Sequence, residues 1–168
     1  GGTPIGERIR SIILDRDCAE MDDMTEAMLY AAARAQHVVQ VIRPALLAGK
    51  IVICDRFVDS SIAYQGYGRG LGEAVSVIND YAVCGCLPDV TFLMKMDPRV
   101  GRRRINVQQQ DRLEREKDDF HVRTYEGYLE LEKKYPGRIV GIDAARSIEE
   151  IKIDIYKKLE EVLKGVTE

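Results

Sequence analysis

The sequence predicts one α/β domain built on a parallel sheet flanked by helices. Short apolar runs occur at 51–54, 90–96 and 138–142, and the first is wholly apolar, as in a strand buried on both faces. Segments with helical spacing of apolar residues separate these runs. Because helices alternate with short apolar strands, the pattern favours an α/β fold.

The first 50 residues are predicted to be mostly helical. Four isoleucines at helical spacing predict a helix over 4–15. Asp22 or Thr25 can cap a second, long helix that runs to about residue 48, where a glycine stops it. Pro44 is expected to bend this helix near its end, because proline lacks the N–H that the helix ladder needs.

The second half continues the alternation of helix and strand. The glycine-rich segment 66–72 is predicted to be irregular, and Asp97-Pro98 is a favourable helix start. The remaining predictions are helices over about 73–83, 114–134 and 147–163, a helix beginning at Asp97 and a polar loop over 106–112.

Composition excludes several classes of protein. The chain carries 25 Lys+Arg and 28 Asp+Glu, a net charge of −3, which gives no sign of non-specific nucleic-acid binding. No apolar run approaches the roughly 20 residues of a membrane span, and residues 1–10 have no signal-peptide core. Cys84 and Cys86 lack a second Cys or His pair at zinc spacing. We therefore expect a cytoplasmic protein with reduced cysteines.

The end of the first predicted strand is the first candidate site. Ligands of open α/β sheets bind at the carboxyl ends of the strands, and Asp55-Arg56 follows the run 51–54 directly. The aspartate could hold magnesium, directly or through water, and the arginine could bind phosphate oxygens. An exposed ion pair at a strand end explains the same two residues.

Two further groups of side chains point to a flat, polar ligand. Ser61, Tyr64 and Gln65 follow the same strand closely and could read sugar and base edges. Tyr30 and Arg34 are four residues apart and share a helix face, so one could stack on a ring while the other binds its edge. A plain cation–π pair within the helix is the alternative.

The segment 102–115 is rich in arginine and could stabilise the charge of a transferring phosphoryl group. Acidic residues lie among these arginines and also permit a solvated helix face. The arginines are Arg102, Arg103, Arg104, Arg112 and Arg115.

Taken together, these motifs resemble bacterial thymidylate kinases along essentially the whole chain. The stretch 55–66, Asp-Arg-Phe-Val-Asp-Ser-Ser-Ile-Ala-Tyr-Gln-Gly, is the most specific. The helix 26–37 resembles the base-recognition helix of that family, and Asp-Arg-Leu-Glu at 111–114 resembles its lid sequence. The resemblance implies a P-loop NTPase-like parallel sheet and a lid over about 102–116.

The resemblance also implies an activity, Mg²⁺-dependent transfer of the ATP γ-phosphate to dTMP giving dTDP, in a homodimer packed through helices. It implies a role for each matching residue. Tyr30 would stack on thymine, Arg34 would bond the base carbonyl, and Arg10 and Arg56 would hold the dTMP phosphate. The base and sugar pocket would be lined by Ser61, Tyr64 and Gln65, and Arg69, in the glycine loop, would also belong to the dTMP site. Asp55 would hold Mg²⁺, directly or through water, Arg112 would be the lid arginine over the transferring phosphate, and the residues near adenine would be Arg104, Asp143 and Ala144.

One departure from the family is large. The sequence contains no G-x-x-x-x-G-K-[S/T] motif, although the family begins with a strand, that phosphate-binding loop, a helix and a second strand. We expect these elements to be missing ahead of residue 1, which removes the central strand of the family sheet. The 168 residues alone are then expected to be inactive. The alternative is a catalytically inactive nucleotide-binding or dimerisation module.

Overall fold

The computed structural model describes residues 2–98, 100 and 111–166. The first half of the chain is helical, and strands and helices alternate after it. The elements are α1 Pro4–Leu14, α2 Asp23–His37, π1 Val38–Ile42, α3 Arg43–Leu47, α4 Val58–Ser61, π2 Ile62–Gly68, α5 Glu73–Val83, β1 Thr91–Lys95, α6 Asp118–Lys134, β2 Ile139–Asp143 and α7 Ile148–Val166.

Side-chain caps fix the starts of the first two helices. The Oγ1 of Thr3 accepts a hydrogen bond from the N–H of Gly6 at 2.9 Å, and a proline occupies the first turn of α1. The carboxylate of Asp22 accepts from the first turn of α2, so of the two predicted caps Asp22 is the one used. None of the described helices is both long and apolar enough to span a bilayer.

The long second helix forms as predicted, but with a wider turn inside it. Residues 38–42 adopt π-helical geometry between α2 and α3. Pro44 lies two residues after the end of this stretch, and a proline ring clashes with the carbonyl four residues earlier in an α-helix. Widening the preceding turn relieves that clash, so the chain continues to Leu47 without a break.

Two of the three predicted strands form, and they pair in parallel. β1 and β2 lie in register from Thr91 opposite Ile139 to Lys95 opposite Asp143. The prediction of a strand over 51–54 is wrong for this structure. No strand among the described residues pairs with that stretch, and a strand needs a neighbour to satisfy its backbone groups. Its isoleucines, Ile51 and Ile53, are 73% and 94% exposed.

The segment predicted to be irregular around the glycines is helical as far as Gly68. The reason is packing against α6, because a Cβ at Gly68 would lie 2.6 Å from Thr124 Oγ1 and a Cβ at Gly127 would lie 2.7 Å from the Tyr67 ring. Arg123 donates to the carbonyl of Gly68 at 2.8 Å. These two glycines let π2 and α6 approach closely, which fixes the orientation of π2.

An ion pair ties the sheet to the start of α4. Arg138 binds both oxygens of Asp59, at 2.6 and 2.7 Å, and Thr91 donates to the same carboxylate at 3.0 Å. Asp59 is buried. Beside it, Ala63, Leu131 and Ile139 form an apolar cluster that joins π2, α6 and β2.

The other helix predictions are confirmed within a few residues. The helix predicted from about residue 114 begins at Asp118, after a short turn. Most of the helix predicted from Asp97, and most of the loop 106–112, lie outside the described residues.

Candidate nucleotide-binding site

A cleft of about 550 Å³ opens between α2, the start of π2 and the segment 111–114, a volume typical of sites for small molecules. It gathers most of the side chains that the sequence assigns to the monophosphate. The predicted residues in its lining are Arg10, Tyr30, Arg34, Asp55, Arg56, Ser61, Tyr64 and Gln65.

Arg34 is bonded only by neutral oxygens among the described residues. Its guanidinium donates to Ser61 Oγ at 2.9 Å, to the carbonyl of Phe57 at 3.1 Å and to Asn79 Oδ1. Burial lowers the pKa of Arg34 to about 10, so it stays charged at neutral pH. With three of its five N–H donors used, Arg34 can still donate to a ligand oxygen.

Tyr30 lies one helical turn before Arg34 and lines the same cleft. Burial, together with the negative charge of Glu26, raises the pKa of Tyr30 to about 12. The phenol therefore remains neutral at physiological pH. A neutral aromatic ring beside a guanidinium can stack on a flat base while its neighbour binds the edge of that base.

Asp55 and Arg56 lie at the cleft, although none of the described residues before them forms a strand. Arg56 has φ of +62°, a left-handed conformation that costs free energy for any residue with a side chain. Its guanidinium lies 5.1 Å from the centroid of the Tyr64 ring. The strained backbone and the aromatic contact hold this arginine at the cleft, where no described carboxylate forms an ion pair with it.

Ser61 and Gln65 are both buried, and both face the cleft from one helical stretch. Ser61 accepts from Arg34, and the Nε2 of Gln65 donates to Glu26 Oε1 at 2.8 Å. The π-helical geometry of residues 62–68 widens the turn between them. Two polar side chains are thus fixed before any ligand arrives.

Arg69 and Arg112 lie outside the lining of the cleft. Both bind the carboxylate of Glu26: Arg69 at 3.0 Å and Arg112 by a short contact. Arg69 also pairs with Glu116 at 2.6 Å, and Arg112 donates to the carbonyl of Ile13 at 3.0 Å. These two predicted functional residues therefore have structural partners here.

Two of the residues assigned to adenine, Asp143 and Ala144, are not in the lining of this cleft. Asp143 and Ala144 lie at the carboxyl end of β2, where the N–H of Ala144 donates to the carbonyl of Lys95 at 2.9 Å. Arg104, with most of the predicted lid, lies outside the described residues.

The chemistry of the donors fits a magnesium ion held mainly by phosphates. The described residues contain no group of three or more His, Cys, Asp or Glu that could hold a metal alone. Asp55 is an exposed carboxylate in the lining. Mg²⁺ usually takes one or two carboxylates, keeps several waters and is completed by substrate phosphates, and Asp55 could supply one such carboxylate.

Sequence reasoning missed two buried polar residues behind the cleft. Glu26 lies four residues before Tyr30 and eight before Arg34, so the three residues share one face of α2. That spacing is the sequence signal that could have identified Glu26. Asn79 donates to the carbonyl of Val75 at 2.8 Å and accepts from Arg34. It lies in the middle of α5, and nothing in the local sequence singles it out.

Comparison with known proteins gives a consistent family. The thymidylate kinase family model matches residues 1–155. The chain is 50% identical to a thymidylate kinase of Halalkalibacterium halodurans over 97% of this chain and 80% of that protein. It is 51% identical to one of Lactobacillus helveticus (97% and 79%), and 46% identical to one of Bacillus licheniformis (98% and 79%).

Proposed function

Because the chain belongs to the thymidylate kinase family, we propose that its cleft binds dTMP and presents the phosphate of dTMP to the γ-phosphate of ATP, giving dTDP. The observation that carries the proposal is Arg34, a partly buried charge with only neutral partners among the described residues. A partly buried cation with unused donors favours a ligand that brings a carbonyl oxygen.

The thymine ring would stack on Tyr30 while a base carbonyl accepts from Arg34. Ser61 and Gln65 are buried and already bonded, so they would meet the nucleoside with little loss of side-chain entropy. We assign the contact with Arg34 to the carbonyl at C4 of thymine, because the carbonyl at C2 is present in cytosine too. Cytosine carries an amino group at C4, so its N–H donors would face those of Arg34, and the site should discriminate against cytosine.

The phosphate of dTMP would be held by Arg10 and Arg56. Both are exposed at the cleft, and neither forms an ion pair with a described carboxylate, so their donors are available to phosphate oxygens. Asp55 would hold Mg²⁺ with the phosphates. When bound, the ion would neutralise charge on the transferring phosphoryl group.

Arg112 is proposed as the lid arginine only on condition that it leaves Glu26. In this structure the guanidinium is bound by that carboxylate. A catalytic role would require it to exchange Glu26 for the transferring phosphate. Arg104, Asp143 and Ala144 remain proposed for the adenine side of ATP.

Titration calorimetry of the 168-residue chain tests the binding proposal. We expect dTMP to bind most tightly. Thymidine should bind at least about tenfold more weakly, because it lacks the phosphate that the arginines hold. The nucleotide dCMP should be rejected by a comparable factor. Equal affinity for dTMP and dCMP would contradict the assignment of Arg34 to the base.

Phosphoryl transfer needs a second test, because the printed sequence has no G-x-x-x-x-G-K-[S/T] loop to hold the β- and γ-phosphates. We expect negligible ADP release from the 168 residues with dTMP and ATP. A version extended at residue 1 by a strand and helix that carry this loop should turn over at about 1–100 s⁻¹. If the extended version binds dTMP but stays inactive, the alternative of an inactive nucleotide-binding module is favoured.

We also propose a cytoplasmic homodimer packed through helices. Large apolar side chains are exposed on the helices, including Met28 at 55%, Val39 at 62% and Tyr81 at 84%, and an interface packed through helices would bury side chains of this kind. Light scattering at micromolar concentration should give twice the chain mass of 19.0 kDa. A monomer would contradict this proposal.

A further inference from the structure

Glu26 is a fully buried carboxylate next to the cleft but not in its lining. One oxygen accepts from Gln65 at 2.8 Å. The other accepts from Arg69 at 3.0 Å and from Arg112. A buried carboxylate is costly unless it is paired and hydrogen-bonded, and this one is bonded by three different side chains.

The partners of Glu26 keep it ionised. Burial by itself raises the pKa of a carboxyl group, but the hydrogen bonds from Arg69, Gln65 and Arg112 outweigh that effect and leave the pKa of Glu26 below its ordinary value. The two guanidinium groups are almost as secluded, with 11% and 9% of their side chains exposed. Removing the negative charge of Glu26 would leave the Arg69 and Arg112 guanidinium groups close together with no carboxylate between them.

The bonds of Glu26 reach both walls of the cleft. On one wall, Gln65 lines the cleft from π2 and donates directly to Glu26. On the other wall, residues 111–114 lie in a turn, from which Asp111, Leu113 and Glu114 line the cleft. Arg112 secures that turn by binding Glu26.

We infer that Glu26 is a positioning residue for dTMP: while Arg112 is bound to it, before any exchange of Arg112 to the transferring phosphate, Glu26 fixes the Gln65 amide and the 111–114 turn on opposite walls of the cleft without touching the nucleotide. The inference rests on the proposed function, since it takes dTMP as the ligand that these walls contact. It assigns a role in substrate affinity to a residue of α2 that sequence reasoning passed over.

The glutamine variant Glu26→Gln isolates the charge at nearly constant volume. A neutral amide accepts fewer hydrogen bonds, and it places an N–H against an arginine. The matched control is Asp59→Asn, since Asp59 is also a buried carboxylate bound by an arginine and lies outside the lining of the cleft. Both variants should lower the melting temperature.

Titration with dTMP separates positioning from simple stabilisation. We expect Glu26→Gln to weaken dTMP binding at least about tenfold, equivalent to about 1.4 kcal/mol, and Asp59→Asn to change it less than about twofold. In a Gln65→Ala background, Glu26→Gln should reduce dTMP affinity by a smaller factor than it does alone, because part of its effect passes through Gln65.

Each outcome decides the inference. If the unmodified chain binds dTMP while Glu26→Gln binds it equally well, or if Asp59→Asn loses as much affinity, the inference is wrong and the proposed function stands. An unmodified chain that binds no dTMP overturns the proposed function, and the inference with it. If the glutamine variant does not fold, Glu26→Asp replaces it: a shorter, charged side chain that withdraws from Gln65 should also weaken binding, and unchanged affinity would contradict the inference.

Discussion

Two groups of arginines differ in what binds them. The cleft arginines, Arg10, Arg34 and Arg56, form no ion pair with any described carboxylate, and Arg34 is bonded only by neutral oxygens. The paired arginines, Arg69, Arg112 and Arg138, each bind a buried carboxylate. An arginine already neutralised by a carboxylate has little to gain from a phosphate or carbonyl. The presence or absence of a carboxylate partner therefore distinguishes arginines that can bind a ligand from arginines that stabilise the fold.

The largest expected effect is a loss of stability when an arginine of the paired group loses its carboxylate. Asp59→Ala leaves Arg138 without its carboxylate and should lower the free energy of unfolding by about 3 kcal/mol, the lower end for a buried pair, because Arg138 is 18% exposed and can partly reach water. Urea denaturation measures this. The double variant Asp59→Leu with Arg138→Met should recover most of the loss. A single variant as stable as the unmodified chain would contradict the structural role of this pair.

The next effect belongs to the cleft arginines and should appear in affinity alone. Arg10→Gln and Arg56→Gln should each weaken dTMP binding by about 1.5–3 kcal/mol, the value of a hydrogen bond to a charged group. Neither should change the affinity for thymidine, which has no phosphate. Their unfolding free energies should stay within about 0.5 kcal/mol of the original. A parallel loss of thymidine binding would show that these arginines do not select the phosphate.

A smaller effect tests whether the cleft stores strain. Arg56 has φ of +62°, which glycine adopts freely. Arg56→Gly should therefore raise the unfolding free energy, by up to about 1 kcal/mol, while it weakens dTMP binding. Arg56→Ala is the control, because it removes the same side chain and keeps the strain. If the Arg56→Gly variant is no more stable than the Arg56→Ala variant, the backbone at Arg56 is not strained.

The smallest expected effect is on pH dependence. The pKa of Glu26 is lowered in the folded chain, so its ionised form contributes stability above the unfolded pKa of about 4.3. That contribution is lost as pH falls through the lower folded pKa. The melting temperature should therefore fall less steeply between about pH 5 and 3 in Glu26→Gln. Identical slopes would contradict the pairing of Glu26 with its arginines.

Sequence reasoning located the cleft because its residues lie in short local patterns. Tyr30 and Arg34 share a helix face, and residues 55–65 follow one another closely. It did not anticipate the bonds that Arg69 and Arg112 make, because their partner, Glu26, is 43 and 86 residues away in the chain. Pairing across such distances is decided by the packing of α2 against π2 and the 111–116 segment, which no local pattern records.

The fold shows the same division. The two strands that formed, β1 and β2, find each other within the chain, whereas the equally apolar run 51–54 has no partner strand among the described residues. Local apolar character predicts that a strand can form. Whether it does form depends on a neighbour that supplies the hydrogen bonds.

The most direct test of the account makes one substitution in each group. Arg34→Lys and Arg138→Lys both keep the charge and lose the planar set of donors. Calorimetric titration with dTMP should show a loss of about 100-fold for Arg34→Lys, equivalent to two tenfold steps of about 1.4 kcal/mol each. Arg138→Lys should stay within about twofold in affinity while its melting temperature falls. Unchanged dTMP affinity in Arg34→Lys, or an equal loss in Arg138→Lys, would contradict the claim that arginines without a carboxylate partner mark the binding site.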